Sequence, residues 1–159
     1  MSRAKSNAKA IDLDPGYVRM YFEHQYDRIK KNEDQAMNIS NVVFTITALM
    51  LTFGFNNQQL FGSTLILFLP LIIIIANVFA ILYVRENTRW IKVHQIRAKL
   101  ILETYTPELY SLDKENTAPP MKGIVGRSAT QYLFHALFIT IALILLFLFV
   151  MQLYSISII

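Results

Sequence analysis

The stretch Thr64–Val84, TLILFLPLIIIIANVFAILYV, runs for twenty-one residues without a charge. As an α-helix rising 1.5 Å per residue it would be about 30 Å long, the thickness of a bilayer's hydrocarbon core. Arg85 and Glu86 follow at once, and the pattern continues as RENTRWIKVHQIRAKLILE to Glu103. Neither Gly nor Pro interrupts Leu71 to Thr106. The helix is therefore predicted to leave the membrane and project beyond it. The rest of the chain is expected to pack against this element, inside the membrane or below it.

The charges are partitioned. No Asp, Glu, Lys or Arg occurs between Gln35 and Val84, or between Ser128 and Ile159. All fifteen basic and eleven acidic residues sit in two blocks, Met1–Asp34 and Arg85–Arg127. Only 16% of the chain is charged, against about 25% in a soluble domain, and neither block is long enough for a large soluble domain. The turn at 56–62 and the residues after Tyr154 carry no Lys or Arg. By the positive-inside rule the N-terminus and the 85–127 region are cytoplasmic and the C-terminus lies outside. The net charge of +4 fits that rule and anionic lipid headgroups, and nucleic-acid binding is not expected. MSRAKSNAKAIDLDPG lacks the apolar core of a signal peptide.

Along the chain, residues 1–13 are expected to be a flexible tail. Asp14-Pro15 reads as N-cap and first helical position. The following helix places Val18, Phe22, Gln25/Tyr26 and Ile29 on one face, beside Tyr17 and Tyr21, with Arg19, Glu23, Asp27, Lys30 and Lys31 opposite. The first span is Ile39–Phe55, where Thr45, Thr47 and Thr52 can bond their own helix and keep one face small. The uncharged turn after it forces an antiparallel hairpin. In the second span Pro70 is positioned to bend the helix, and Asn77, near the middle, is expected to find a partner on a neighbouring helix; lining a pore is its alternative role. Trp90, Val93, Ile96 and Leu100 form one stripe of the second cytoplasmic helix, which Pro107 ends. Glu108–Arg127, with Pro119-Pro120, Gly123 and Gly126, reads as a loop. Gln131–Tyr154 is the third span, with His135 one turn inside it as an interfacial packing residue or, alternatively, a proton-responsive group; Asn77 and His135 are the polar contacts expected within the membrane. The fold class expected is thus an all-α membrane protein: three transmembrane helices, N-terminus in and C-terminus out, with two amphipathic cytoplasmic helices. Its parts are residues 1–38 (tail and amphipathic helix), 39–84 (transmembrane hairpin), 85–130 (cytoplasmic helix and loop) and 131–159 (third span).

Chemistry is sparse. There is no cysteine, and His24, His94 and His135 are not in metal-ligand spacing, so no metal and no cofactor is expected. Arg89 and His94 form an Arg-x4-His, the spacing of the catalytic pair of HEPN ribonucleases, but the surrounding helix reads as a solvated face near headgroups. No phosphate loop, paired carboxylate or nucleophile elbow occurs. With no charge inside a span, a proton pump or ion-coupled transporter is not expected. No catalytic residue is assigned, and three helices enclose no large polar cavity unless several copies assemble.

MNISNVVFTITALM (Met37–Met50) resembles the opening of the first span in the RipA-type octameric membrane proteins of bacteria, where it follows a Tyr-rich cytoplasmic helix. The order of elements is also similar, including a basic helix with an Arg-x-Asn-x-x-Trp-like stretch at Arg85–Trp90. The layout looks like small multi-span membrane effectors of bacterial defence systems as well. These resemblances imply a homo-oligomeric protein of the bacterial inner membrane acting as an effector or sensor, with antiphage defence and pore formation as implied roles. A non-conducting scaffold that recruits a cytoplasmic protein is the alternative, and a HEPN-like ribonuclease a further one. The partners expected are the bilayer, further copies of the chain, and a cytoplasmic protein or signalling nucleotide. The oligomer interface is expected at Phe22, Tyr26, Ile29, Trp90, Val93, Ile96 and Leu100.

Overall fold

A computed structural model of the chain describes residues 14–56, 67–116 and 127–156. Among them every regular element is helical: α1 (Pro15–Asn56), α2 (Phe68–Tyr105), α3 (Pro107–Asn116) and α4 (Arg127–Ile156). Three of these, α1, α2 and α4, are long and apolar enough to cross a membrane. The tail 1–13, residues 64–66 of the second span, all but the first residue of the turn at 56–62, and the prolines and glycines from Pro119 to Gly126 lie outside the described residues.

The start of α1 is set locally. Asp14 Oδ1 accepts the Gly16 N–H at 2.8 Å, and its carbonyl accepts the N–H groups of Tyr17 and Val18 at 2.9 and 3.3 Å. Pro15 adds a fixed φ where no donor is needed. From there α1 is one rod of 42 residues, because neither Gly nor Pro occurs between Gly16 and Gly54. The boundary read at Asn38/Ile39 is a change of side-chain chemistry along a continuous backbone. α2 behaves the same way over 38 residues. Pro70 is buried in the first turn of α2, where the missing N–H has no intrahelical partner in any case.

The loop expected over Glu108–Arg127 is corrected in its first half. Thr106 leaves helical geometry (φ −139°, ψ 63°) while its N–H still caps Leu102. Pro107 then begins α3 instead of merely ending α2, with Glu108 in the first turn and Lys114 in the last, as the helix dipole favours. The third apolar helix also begins earlier than Gln131, at Arg127.

α2 is the middle of the bundle and packs on both α1 and α4, which touch each other sparsely. Thr47 meets Asn77 and Gln25 meets His94, so α1 and α2 are antiparallel. Glu33 meets Arg127 and Ser40 meets His135, so α4 runs parallel to α1. The contact seam follows steps of three and four residues: Ala36, Ser40, Val43 and Thr47 on α1; Pro70, Ile73, Asn77, Ala80, Val84 and Asn87 on α2. On α4 the step is seven, at His135, Ala142 and Phe149. This is the spacing of coiled-coil packing, and its small residues let the backbones approach. Large apolar side chains such as Leu49, Phe53, Ile75, Phe79, Leu133 and Phe147 face outward, where lipid tails would solvate them.

The α2 seam continues into the charged half through Asn87, Ile91, His94, Ala98 and Ile101. The stripe read from the sequence is a different one. Trp90, Ile96 and Leu100 are 47%, 59% and 55% exposed, and Val93 is half-buried. On α1, Phe22 and Ile29 are half-buried, whereas Tyr17, Tyr21 and Tyr26 are exposed. Packing α1 on α2 therefore leaves a second apolar surface uncovered.

Candidate functional site

Two polar clusters lie on the seam. The first joins the three apolar helices. Asn77 on α2 and His135 on α4 are fully buried, as are Ser40 and Thr47 on α1. His135 Nδ1 lies 2.8 Å from Asn77 Oδ1 and its Nε2 lies 3.2 Å from Ser40 Oγ. The Asn77 amide nitrogen donates to Thr47 Oγ1 at 3.0 Å and to the Ile73 carbonyl at 2.9 Å. Phe44 lies against the imidazole with ring centroids 4.4 Å apart, and Phe134 and Phe138 of α4 flank Phe44 at 5.7 and 5.6 Å. Among the described residues no buried side-chain polar atom lacks a hydrogen-bond partner. His135 is thus a polar junction of three helices. The junction runs from the level of Ser40 to that of Thr47, about 10 Å along the helix. Unmet polar groups in hydrocarbon are costly, so the cluster fixes the register of the three helices.

The threonines divide by role. Thr45 and Thr52 back-bond to the carbonyls of Asn41 and Ala48, as the sequence suggests. Thr47 lies on the seam and turns to Asn77 instead. The sequence reading did not single out Ser40 and Thr47 as partners of Asn77 and His135. Their signal was present: they are seven residues apart, on the face shared with Ala36 and Val43.

The second cluster lies in the charged half, where residues of α1 and α2 line a cleft of about 510 Å³. Its floor is Gln25, which is only 2% exposed and whose Oε1 lies 2.7 Å from His94 Nδ1. Because a carbonyl oxygen only accepts, the His94 N–H is the donor. His24 and Arg28 from α1 and Arg97 from α2 complete the polar wall, with Trp90 and Tyr21 at the sides. Burial, and then the positive charges of Arg97, Arg28 and His24, hold the His94 pKa below its ordinary value. Gln25 was placed on the inner face by its spacing, yet its bond to a histidine 69 positions away has no local signature.

The Arg89/His94 pair does not form a joint site. Five residues along a helix turn it through about 140°. Arg89 faces Glu86 at 3.8 Å and lines a separate cavity with Arg85, Lys92 and Tyr132, while His94 opens onto the cleft with Gln25. Of the residues expected at an oligomer interface, Trp90 reaches the rim of that cleft, and Phe22 stacks on Tyr26 at 4.9 Å. Among the described residues no group of three or more His, Asp or Glu side chains could hold a metal ion. Comparison of the chain with protein-family models, with curated proteins and with solved structures finds no match.

Proposed function

We propose that the chain is a small homo-oligomeric membrane effector or sensor of the bacterial inner membrane, controlled through its charged helical arms and acting without catalysis. The observation that carries this reading is mechanical. α1 and α2 each run unbroken from the charged arm into the apolar bundle. A displacement of the arms is therefore delivered to the spans, with no hinge of glycine or proline between Gly16 and Gly54 or between Leu71 and Tyr105 to absorb it. The buried junction at His135 and Asn77 gives the spans a defined register to leave. The one-sided Lys and Arg distribution supports cytoplasmic arms and an outside C-terminus.

Assembly is supported by the uncovered apolar surface of the arms. Burying a large side chain is worth about 1.5–3 kcal/mol, so Ile96 and Leu100, 59% and 55% exposed, favour a covered position. Glu23, Asp27, Glu33 and Asp34 on the same arms would be repelled by anionic headgroups, which makes a neighbouring copy the better cover. A closed symmetric ring satisfies every copy at once. The resemblance of Met37–Met50 and Arg85–Trp90 to RipA-type octameric proteins and to defence effectors agrees with such an assembly.

The test is mass measurement in mild detergent and in nanodiscs, with dye release from vesicles read in parallel. One discrete multimer is expected, which Phe22→Glu and Ile96→Glu dissociate while insertion persists. A monomer in every medium would overturn the reading. A multimer that never releases dye, even with the arms displaced by a crosslink, would favour the non-conducting scaffold.

A further inference from the structure

We propose that the cleft between the arms of α1 and α2 binds a soluble phosphate-bearing ligand with a planar aromatic ring, a nucleotide by chemical class. Its phosphate would lie between Arg28 and Arg97 and its ring against Trp90. The inference deepens the effector reading, since it supplies the chemistry by which the arms receive a signal.

The charge pattern is the first argument. Three arginines elsewhere on the described surface have carboxylate company: Arg19 with Glu23, Arg89 with Glu86, Arg127 with Glu33. The cleft gathers Arg28, Arg97, His24 and His94, and no Asp or Glu lines it. Arg28 Nε instead approaches His24 Nε2 at 3.4 Å. Cations from two helices held together without a counterion repel one another, and a bound anion relieves that cost. Guanidinium groups are also the side chains best matched to phosphate oxygens, through paired N–H donors.

Shape is the second argument. The cleft holds about 510 Å³, within the range of sites for small organic ligands. Trp90 and Tyr21 stand at its sides, and Asn32 and the buried Gln25 add amide groups. Aromatic faces beside guanidiniums offer a ring a stacking surface next to a phosphate site, the pairing found where proteins hold the bases and backbone of single strands.

Depth separates a soluble ligand from a lipid headgroup. Arg28 precedes Ile39 by eleven residues, and Arg97 follows Val84 by thirteen. At 1.5 Å per residue both lie about 16–20 Å beyond the apolar segments, whereas the headgroup layer is only about 5–8 Å thick. The phosphate must therefore come from the aqueous side.

Trp90 is the chain's single tryptophan, so its fluorescence reports on the cleft alone. The full chain in phosphatidylcholine nanodiscs is titrated with AMP, GMP, adenosine and inorganic phosphate, with free tryptophan as the optical control. A saturable change is expected with AMP or GMP, weaker with adenosine or phosphate. Arg28→Gln and Arg97→Gln should each weaken it about tenfold or more, Arg28→Lys and Arg97→Lys less, and Lys114→Gln not at all. No saturable response to any probe would overturn the proposal, as would a response that survives both Gln substitutions. A change seen only when phosphatidylglycerol is added to the nanodiscs would assign the cleft to lipid and overturn it too. Oligomer mass in the same samples is read separately, so a flat titration on an intact multimer removes the site and leaves the effector reading standing.

Discussion

His135 Nδ1 stands 2.8 Å from Asn77 Oδ1, and this contact dictates which ring nitrogen carries the proton. The Asn77 nitrogen is committed to the Ile73 carbonyl at 2.9 Å, a group that can only accept. The amide atom facing His135 is therefore the oxygen, and Nδ1 must donate. In a neutral ring Nε2 then accepts the Ser40 hydroxyl, 3.2 Å away. One imidazole thereby ties α4 to both other spans with a single allowed arrangement of donors.

Asn77 and His135 should couple energetically. Removing either alone leaves a buried partner unmet, at about 1–3 kcal/mol. Asn77→Leu and His135→Leu are each expected to destabilise the bundle, and the double variant by less than their sum. The coupling should be about 0.6–2 kcal/mol. Reversible unfolding in mixed micelles measures all four corners of the cycle, and a coupling of zero would mean that the contact does not organise the bundle.

Three threonines in one span should respond differently to the same change. Thr45 and Thr52 bond only their own helix, so valine in either place should shift stability by less than about 0.5 kcal/mol. Thr47 accepts from Asn77. Thr47→Val deprives that amide of an acceptor and should cost about 0.5–1.5 kcal/mol. Equal effects at the three positions would contradict the assignment.

The span pattern was legible because apolar length and one-sided charge act on whole segments, and no tertiary context overrides twenty uncharged residues. The continuity of α2 followed from the lack of a breaker after Leu71, and the same argument holds for α1. Asn77 and His135 stood out as polar residues in apolar runs. Their joining did not, because helix rotation and register depend on the seam of three helices. α3 was missed because Pro107 serves equally well to end one helix and to begin the next; Thr106 decides by leaving helical geometry. The apolar stripe of Trp90, Val93, Ile96 and Leu100 was legible, but the face of α2 that packs on α1 beyond Val84 was not, because that arm carries apolar residues on more than one side. The span's own phase carries through Asn87, His94 and Ala98 instead.

Acidification should loosen the arms through His94. Its pKa is lowered in the fold by burial and by Arg97, Arg28 and His24. The unfolded chain therefore binds this proton more readily, and stability rises with pH across the interval between the two values. The contribution is complete above the ordinary value of 6.5 and is lost as pH falls through the folded one. Hydrogen exchange around Gln25 should accelerate relative to its intrinsic rate between about pH 7 and pH 5. His94→Gln should flatten that dependence. An unchanged slope in the variant would exclude His94 as its source.

The topology can be tested by reporters placed on either side of α4. Arg127 Nη1 lies 3.5 Å from Glu33 on α1, so the start of α4 is beside the charged arm of α1. α4 then runs parallel to the apolar half of α1, and its far end near Ile156 must emerge at the opposite face of the bundle from Glu33. That relation fixes opposite sides whichever way the bundle is inserted. The distribution of Lys and Arg selects the direction: among the described residues every one lies at the end that holds Glu33, and none follows Arg127 in the sequence. A fluorescent protein inserted at Asn116 should therefore be bright in the cytoplasm. Alkaline phosphatase fused after Ile159 should be active, as it is only on the oxidising side. Phosphatase activity at Asn116 together with none after Ile159 would invert the orientation and keep the bundle. Both reporters on one side would break the three-span arrangement itself.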